Sequence, residues 1–189
     1  METDWGELDY LLIDTPPGTS DEHISTVQYL RSGDVGGVSG AVIVTTPEEV
    51  AMMDVRKELN FCKKVQCPIL GIVENMARFE CRVEEVSFSG PDGADITKDI
   101  QAIIAKKFGG VTANVDVFPT SGGGVPGMAK EFECDYLGTL NLEPALQKCC
   151  EEGKNFTTEH RDSKSQAVGA INGFVDVLLK KLPPVGDDK

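Results

Sequence analysis

The apolar residues of this chain gather in short continuous runs at 8–13, 41–45, 69–75 and 136–140, and between them they recur with a helical period. A continuous apolar run suits a strand covered on both faces, and a 3.6-residue period suits a helix lying against it. The first run ends Leu11-Leu12-Ile13-Asp14-Thr15-Pro16-Pro17-Gly18 and predicts a buried strand that delivers Asp14 to a rigid prolyl turn. Asp21 is placed to cap a helix carrying Ile24, Val27 and Leu30, which stops near Ser32-Gly33. A strand over 41–45 follows. Thr46-Pro47-Glu48-Glu49 then combines a capping hydroxyl, a first-turn proline and a glutamate three residues on. A helix is expected from there to about Lys64, with Val50, Met53, Leu59 and Phe61 on its apolar side.

Strand, helix, strand, helix, strand with short connections is the signature of right-handed parallel βαβ units. The regularity stops after Asn75. Residues 76–93 are charged and aperiodic and read as a loop, followed by a helix over 96–108 and a short strand or edge hairpin over 111–117. A flexible stretch from Gly122 to Gly127 leads to a short helix over 128–132. A strand at 136–140, a helix from Pro144 to about Glu152, a polar loop at 153–164 and an amphipathic helix over 166–182 complete the order. Pro183-Pro184 stops that helix, so one domain is expected over 1–182 with a mobile tail at 183–189.

Composition narrows the function. Lys and Arg number 18 against 31 Asp and Glu, a net charge of -13, which repels nucleic acid and anionic membrane surfaces at long range. No run approaches the roughly 20 apolar residues that a bilayer span requires, and Met1-Glu2-Thr3-Asp4-Trp5 is unlike a signal or transit peptide. The cytoplasm is the expected compartment. Six cysteines, at 62, 67, 81, 134, 149 and 150, have irregular spacing and no C-x-x-C, so reduced thiols are expected rather than a disulfide framework. Cys62, inside a helical stretch, reads as a small buried hydrophobe.

The candidate chemistry starts at Asp14. A carboxylate at the carboxyl end of a parallel strand can hold Mg²⁺ beside nucleotide phosphates, or it can simply be solvated at the start of a loop. Asn75, at the end of the third run, offers a donor and an acceptor to a base edge, or closes an Asx turn.

Taken together, Asp9-Tyr10-Leu11-Leu12-Ile13-Asp14-Thr15-Pro16-Pro17-Gly18-Thr19, Thr45-Thr46-Pro47-Glu48-Glu49-Val50 and Gly71-Ile72-Val73-Glu74-Asn75-Met76 resemble the Mrp/Nbp family of MinD-like P-loop ATPases. These are scaffolds and carriers of iron–sulfur cluster assembly. The resemblance is good over residues 8–80 and returns weakly at 138–144; residues 54–65 look closest to the eukaryotic cytosolic branch. It implies an α/β fold, a P-loop NTPase-like (MinD-type) parallel sheet flanked by helices and incomplete at its N-terminal side. It further implies that Asp14 stands near Mg²⁺ and the attacking water, that the loop of Thr15, Gly18 and Thr19 senses the γ-phosphate of ATP, and that Asn75 recognises adenine.

Two departures from the family pattern matter. The G-x-x-x-x-G-K-[ST] loop, whose backbone N–H groups and lysine cradle phosphates, is absent. In the family it lies upstream of the Ile-Asp-Thr-Pro-Pro strand, so the chain is expected to be a C-terminal part, an alternative gene product or a degenerate paralogue. It should bind ATP poorly alone, and an intact partner could supply the missing strand. The family's C-P-x-C motif, which places a thiol pair from each subunit on a bridging 4Fe-4S cluster, is here Cys81-Arg82-Val83-Glu84. Cys81 matches the first thiol and Glu84 replaces the second; Cys134 or an oxygen ligand is the remaining option, and an unused buried thiol is the alternative.

The expected function is therefore a nucleotide-binding iron–sulfur cluster assembly scaffold or carrier, ATP-dependent in full-length form. It would act as a homodimer, or as a heterodimer with a full-length homologue, and deliver clusters to apo iron–sulfur proteins. The alternative is a catalytically silent regulatory or interaction module that pairs with a full-length homologue. A positioning ATPase of the MinD/ParA type would need a membrane or DNA attachment surface, against which the acidic charge weighs.

Overall fold

The computed structural model describes residues 4–16, 18, 21–32, 37–118, 122–163 and 165–183. Thr19, Pro17 and the tail beyond 183 therefore lie outside the described residues. The elements run α1 (Asp21–Ser32), β1 (Ala41–Thr45), α2 (Glu49–Lys64), β2 (Ile69–Arg82), a 3₁₀ turn (Val83–Glu85), α3 (Thr97–Phe108), β3 (Thr112–Asp116), α4 (Gly124–Glu131), β4 (Tyr136–Leu142), α5 (Pro144–Glu151), α6 (Phe156–Glu159) and α7 (Gln166–Lys181).

β2 organises the sheet. Its first half lies between β1 and β4 and runs parallel to both, with Thr45 opposite Glu74 on one side and Thr139 opposite Glu74 on the other. Past Asn75 it continues for seven residues into the stretch expected to be a loop. The reason is non-local: β3 pairs antiparallel with it, Arg78 opposite Asp116 and Arg82 opposite Thr112, so a run of mixed apolar and charged residues becomes a strand because its backbone has a ladder partner. Met76, with φ 54°, marks the irregularity where the parallel half hands over to the antiparallel half.

The main core lies between the sheet and helices α2 and α4. Met52, Val55, Leu59 and Cys62 of α2 meet Ile43, Ile72, Val125, Met128 and Phe132, and Leu59 is fully buried. Cys62 is the small core residue its position suggested. The buried stripe differs from the expected one: Val50 and Met53 are more than half exposed, because α2 starts at Glu49 rather than in the Thr46 turn and its inward face begins at Met52. Glu48 is the residue before the helix, without a side-chain cap, and Pro47 is buried. A second cluster, Cys149, Phe156, Ala167 and Val168, packs α5, α6 and α7 together beside Leu140 of β4. Gly138 lets Phe174 of α7 approach β4 so closely that an added Cβ would stand 3.0 Å from the ring.

Three further expectations are corrected. The run 8–13 is not a strand: it joins no ladder among the described residues, and Leu8, Leu11, Leu12 and Ile13 are about half exposed or more, Leu12 at 90%. Apolar composition favours a strand, but without a neighbour to take its N–H and C=O groups it stays irregular. Contacts that hold this segment and the turn after it include the Tyr10 hydroxyl, which donates to the Leu182 carbonyl at 2.5 Å, His23 Nε2 at 2.8 Å from the Pro16 carbonyl, and the Gly18 N–H, which donates to Glu58 Oε1 at 2.9 Å. The glycine stretch 122–127 is not a flexible loop, since Gly122, Gly123 and Gly124 all take positive φ and turn the chain directly into α4. The polar segment 153–164 contains the one-turn helix α6, whose Asn155 side chain accepts from Thr158 N–H and whose Phe156 fills the second cluster.

Candidate functional site

Open α/β sheets bind ligands beyond the carboxyl ends of parallel strands, where neighbouring connections diverge. Here that place lies where β2 and β4 leave the parallel ladder. A cleft of about 750 Å³ opens there, walled by Glu74, Arg78, Thr139 and Asn141 from the strands, Phe118 from the segment after β3, and the first turns of α7.

Its polar groups are fixed by one another. Glu74 is buried, and its Oε2 accepts from the Tyr136 hydroxyl at 2.5 Å, with the Thr139 hydroxyl 3.3 Å away on the same oxygen. The two hydroxyls are themselves 2.5 Å apart. Burial, and then the hydrogen bond to the Glu74 carboxylate, push the Tyr136 phenol up to about 12, so it is a committed donor at neutral pH. Farther along β2 and β4, buried Glu80 accepts from Asn141 Nδ2 at 2.6 Å, which leaves the Asn141 amide oxygen as an acceptor. Arg78 donates to Asp116 at 2.9 Å across β2 and β3. Asn75 is half-buried next to Glu74 in β2 but does not line the cleft, and its Oδ1 accepts from the Met76 N–H at 3.0 Å, an Asx-type contact at the strand irregularity.

The residues matched to the phosphate side are not brought to this cleft. Asp14 and Thr15 are exposed on the irregular segment, Gly18 is tied to α2 through Glu58, and none of the three lines the cavity. The described residues that line the cleft therefore include none of those matched to the phosphates or to the base.

The thiols fall in separate places. Cys81 is buried on β2 opposite Ala113, and burial, followed by the nearby Glu85 and Glu80 carboxylates, raises its thiol above the ordinary range. It lines a second cleft of about 700 Å³ together with Cys149 and His160. Cys134 is half-buried at the border of the main core, its Sγ 3.7 Å from the Ala129 carbonyl, and its thiol is likewise raised chiefly by burial. The structure does not bring Cys134 to Cys81. Glu84, at the position of the second family thiol, is exposed in the 3₁₀ turn and pairs with Arg82 at 3.3 Å. Among the described residues no three His, Cys, Asp or Glu side chains gather where one ion could be held. Sequence reasoning missed Glu74, Tyr136 and Thr139 as a unit, because their association rests on the pairing of β2 with β4.

A ParA-type family model described as NUBPL iron-transfer P-loop NTPase matches residues 1–107. A cytosolic Fe-S cluster assembly factor Nubp1 homolog of Drosophila pseudoobscura pseudoobscura is 43% identical over 178 residues, covering 94% of this chain and 47% of the relative. The corresponding NUBP1 homolog of Caenorhabditis elegans is 47% identical over 162 residues, 86% of this chain and 42% of the relative. A solved nucleotide-binding protein from Archaeoglobus fulgidus, in complex with ADP, superposes with a TM-score of 0.50 at 28% identity, over 82% of this chain and 49% of that one. The chain spans about half the length of the curated relatives it matches.

Proposed function

Because the chain belongs to the family of NUBPL-type iron-transfer P-loop NTPases, we propose that it is a nucleotide-binding scaffold or carrier of iron–sulfur cluster assembly. It works in the cytoplasm, and its partners are the apo-proteins that receive the cluster. The observation that carries the reading is the cleft at the carboxyl ends of β2 and β4, which opens directly beside the Glu74-Asn75-Met76 motif. ATP enters with its base toward this cleft. The phosphates and Mg²⁺ are met by Asp14, Thr15 and Gly18 together with a phosphate loop supplied by a full-length homologue or by further chain of the same protein. The exposed run 8–13 supports that arrangement: it has the composition of a strand and awaits a ladder partner.

The cluster is cargo. A 4Fe-4S cluster takes four ligands, typically thiolates. Cys81 is this chain's contribution and the others come from a second chain. Anaerobic reconstitution with iron and sulfide, in the presence of a full-length relative, tests this. The expected result is a visible thiolate-to-iron charge-transfer band that is larger than the relative alone gives and returns to that level on Cys81→Ala. No increment over the relative alone removes the scaffold role and leaves a silent module that only pairs, a reading favoured by Glu84 at the second thiol position.

A further inference from the structure

The C-terminal end of α2 brings together two thiols that the candidate site does not use. The helix closes in a Schellman motif: Gln66 takes a left-handed φ of 56°, its N–H donates to the Lys63 carbonyl at 3.2 Å, and the Cys67 N–H donates to the Cys62 carbonyl at 2.9 Å. That pair of bonds folds the chain back over the last helical turn and sets the side chain of the motif's last residue against that of the residue five before it. Here both residues are cysteines. Both are buried in the main core, and neither forms a disulfide. The Cys62 and Cys67 thiols share a hydrogen bond; that contact, and then burial, hold the Cys62 thiol far above its ordinary range. The Cys67 thiol in turn donates to the Pro68 carbonyl at 3.9 Å. The remaining cysteines stand elsewhere: Cys134 against Ala129, Cys81 and Cys149 on the second cleft, and Cys150 exposed.

We propose that Cys62 and Cys67 are a modification site, a dithiol at the join between α2 and β2 that closes reversibly to a disulfide with a low-molecular-weight disulfide such as oxidised glutathione as the oxidant. Bridging two cysteines without moving the backbone requires close Cα atoms and converging Cβ vectors. A backbone hydrogen bond between the two residues, with their sulfurs in contact, is the arrangement that requirement describes. Cys67 is the point of entry: exposed Gln66 and Pro68 flank it at a helix end, where local opening costs least, whereas Cys62 lies one turn inside the core. On opening, the Cys67 thiolate attacks one sulfur of the oxidant and expels the other as a thiolate. Cys62 then gives up its proton and attacks the Cys67 sulfur, and the second small thiolate leaves. Two protein thiols are oxidised and one small disulfide is reduced to two thiols. The second step is intramolecular, so the mixed disulfide does not accumulate. The inference stands independently of the nucleotide and cluster readings above.

The test equilibrates the full chain in buffers of rising oxidised-to-reduced glutathione ratio, quenches in acid, alkylates under denaturing conditions and reads the peptides by mass spectrometry. Lys63 and Lys64 lie between the two cysteines, so trypsin parts them unless a disulfide joins them. The expected product is one reducible linked pair carrying Cys62 and Cys67. Exposed Cys150 reports on glutathione acting between molecules, and the linked pair should reach half-oxidation at a ratio roughly tenfold or more below the one that half-modifies Cys150. In urea the Schellman turn is lost, and the same pair should need a ratio roughly tenfold more oxidising than in the native chain. Cys67→Ala should abolish the linked species and leave Cys62 without glutathione; circular dichroism confirms the fold, and Cys67→Ser takes its place where the alanine variant does not fold. Several results would overturn the inference: glutathione held on Cys62 or Cys67 with no link, a link from either to Cys134, both thiols unmodified where Cys150 is fully modified, or a linked pair that forms as readily in urea.

Discussion

The hydroxyl of Tyr136 is the donor on which a buried carboxylate depends, and Tyr136→Phe removes it with almost no change in volume. Glu74 Oε2 would then keep only the Thr139 hydroxyl at 3.3 Å, a long contact shared with the space the phenol oxygen vacates. A hydrogen bond to a charged group contributes about 1.5–3 kcal/mol, and the lower end applies because Thr139 and cleft water remain, so a loss of about 1.5 kcal/mol is expected. For a chain of this size that is a fall of roughly 3–6 °C in melting temperature. The same residue dictates a pH dependence. A phenol raised from the ordinary 10 to about 12 holds its proton more tightly in the folded state than in the unfolded one. Its contribution to stability is therefore complete below pH 10 and is lost as pH rises from 10 toward about 12. Denaturant titrations of wild type and Tyr136→Phe at pH 7 and at intervals toward pH 11 measure both effects. The wild-type advantage should be constant to pH 10 and shrink above it, and the difference between the two tyrosinate absorbance curves should show one phenol with a midpoint near 12. Equal stability at pH 7, or a difference curve with its midpoint near 10, would refute the reasoning.

Leu59→Ala empties a fully buried position between α2 and the sheet and should cost about 2–5 kcal/mol in chemical denaturation, whereas Val50→Ala, on the exposed face of the same helix, should change stability by less than about 0.5 kcal/mol. Cysteine alkylation should proceed first at exposed Cys150 and slowly at buried Cys81, and Glu85→Gln should speed Cys81 labelling by lowering its raised thiol, as read by peptide mass spectrometry.

Much of the fold could be read from local pattern. The bounds of β1, of α3 and of α7 are reproduced within a residue or two, because each has a clear period and a clear stop, such as Gly109 after α3 or Pro183 after α7. What the pattern could not supply is partnership. Residues 8–13 and 76–82 make the point in opposite directions: the first are largely apolar and remain irregular without a ladder neighbour, while the second carry three charged residues and form a strand because β3 lies beside them. The candidate site follows the same rule. Asn75 and Cys81 were visible as motif positions, but the Tyr136-Thr139-Glu74 unit exists only through the parallel register of β4 with β2, more than 60 residues away in sequence. Nor could spacing show that Cys81 and Cys134 occupy different clusters, since one follows the β2–β3 pairing and the other the packing of α4.

On the proposed reading a nucleotide is held by this chain in company with a phosphate loop contributed from elsewhere. The direct measurement is a calorimetric titration of Mg-ATP into the chain alone, into a full-length relative alone, and into an equimolar mixture. Weak binding is expected for the chain alone, and in the mixture additional high-affinity sites that disappear when Asp14→Asn is introduced into this chain. Micromolar binding by the isolated chain, or a mixture indistinguishable from the relative by itself, would contradict it.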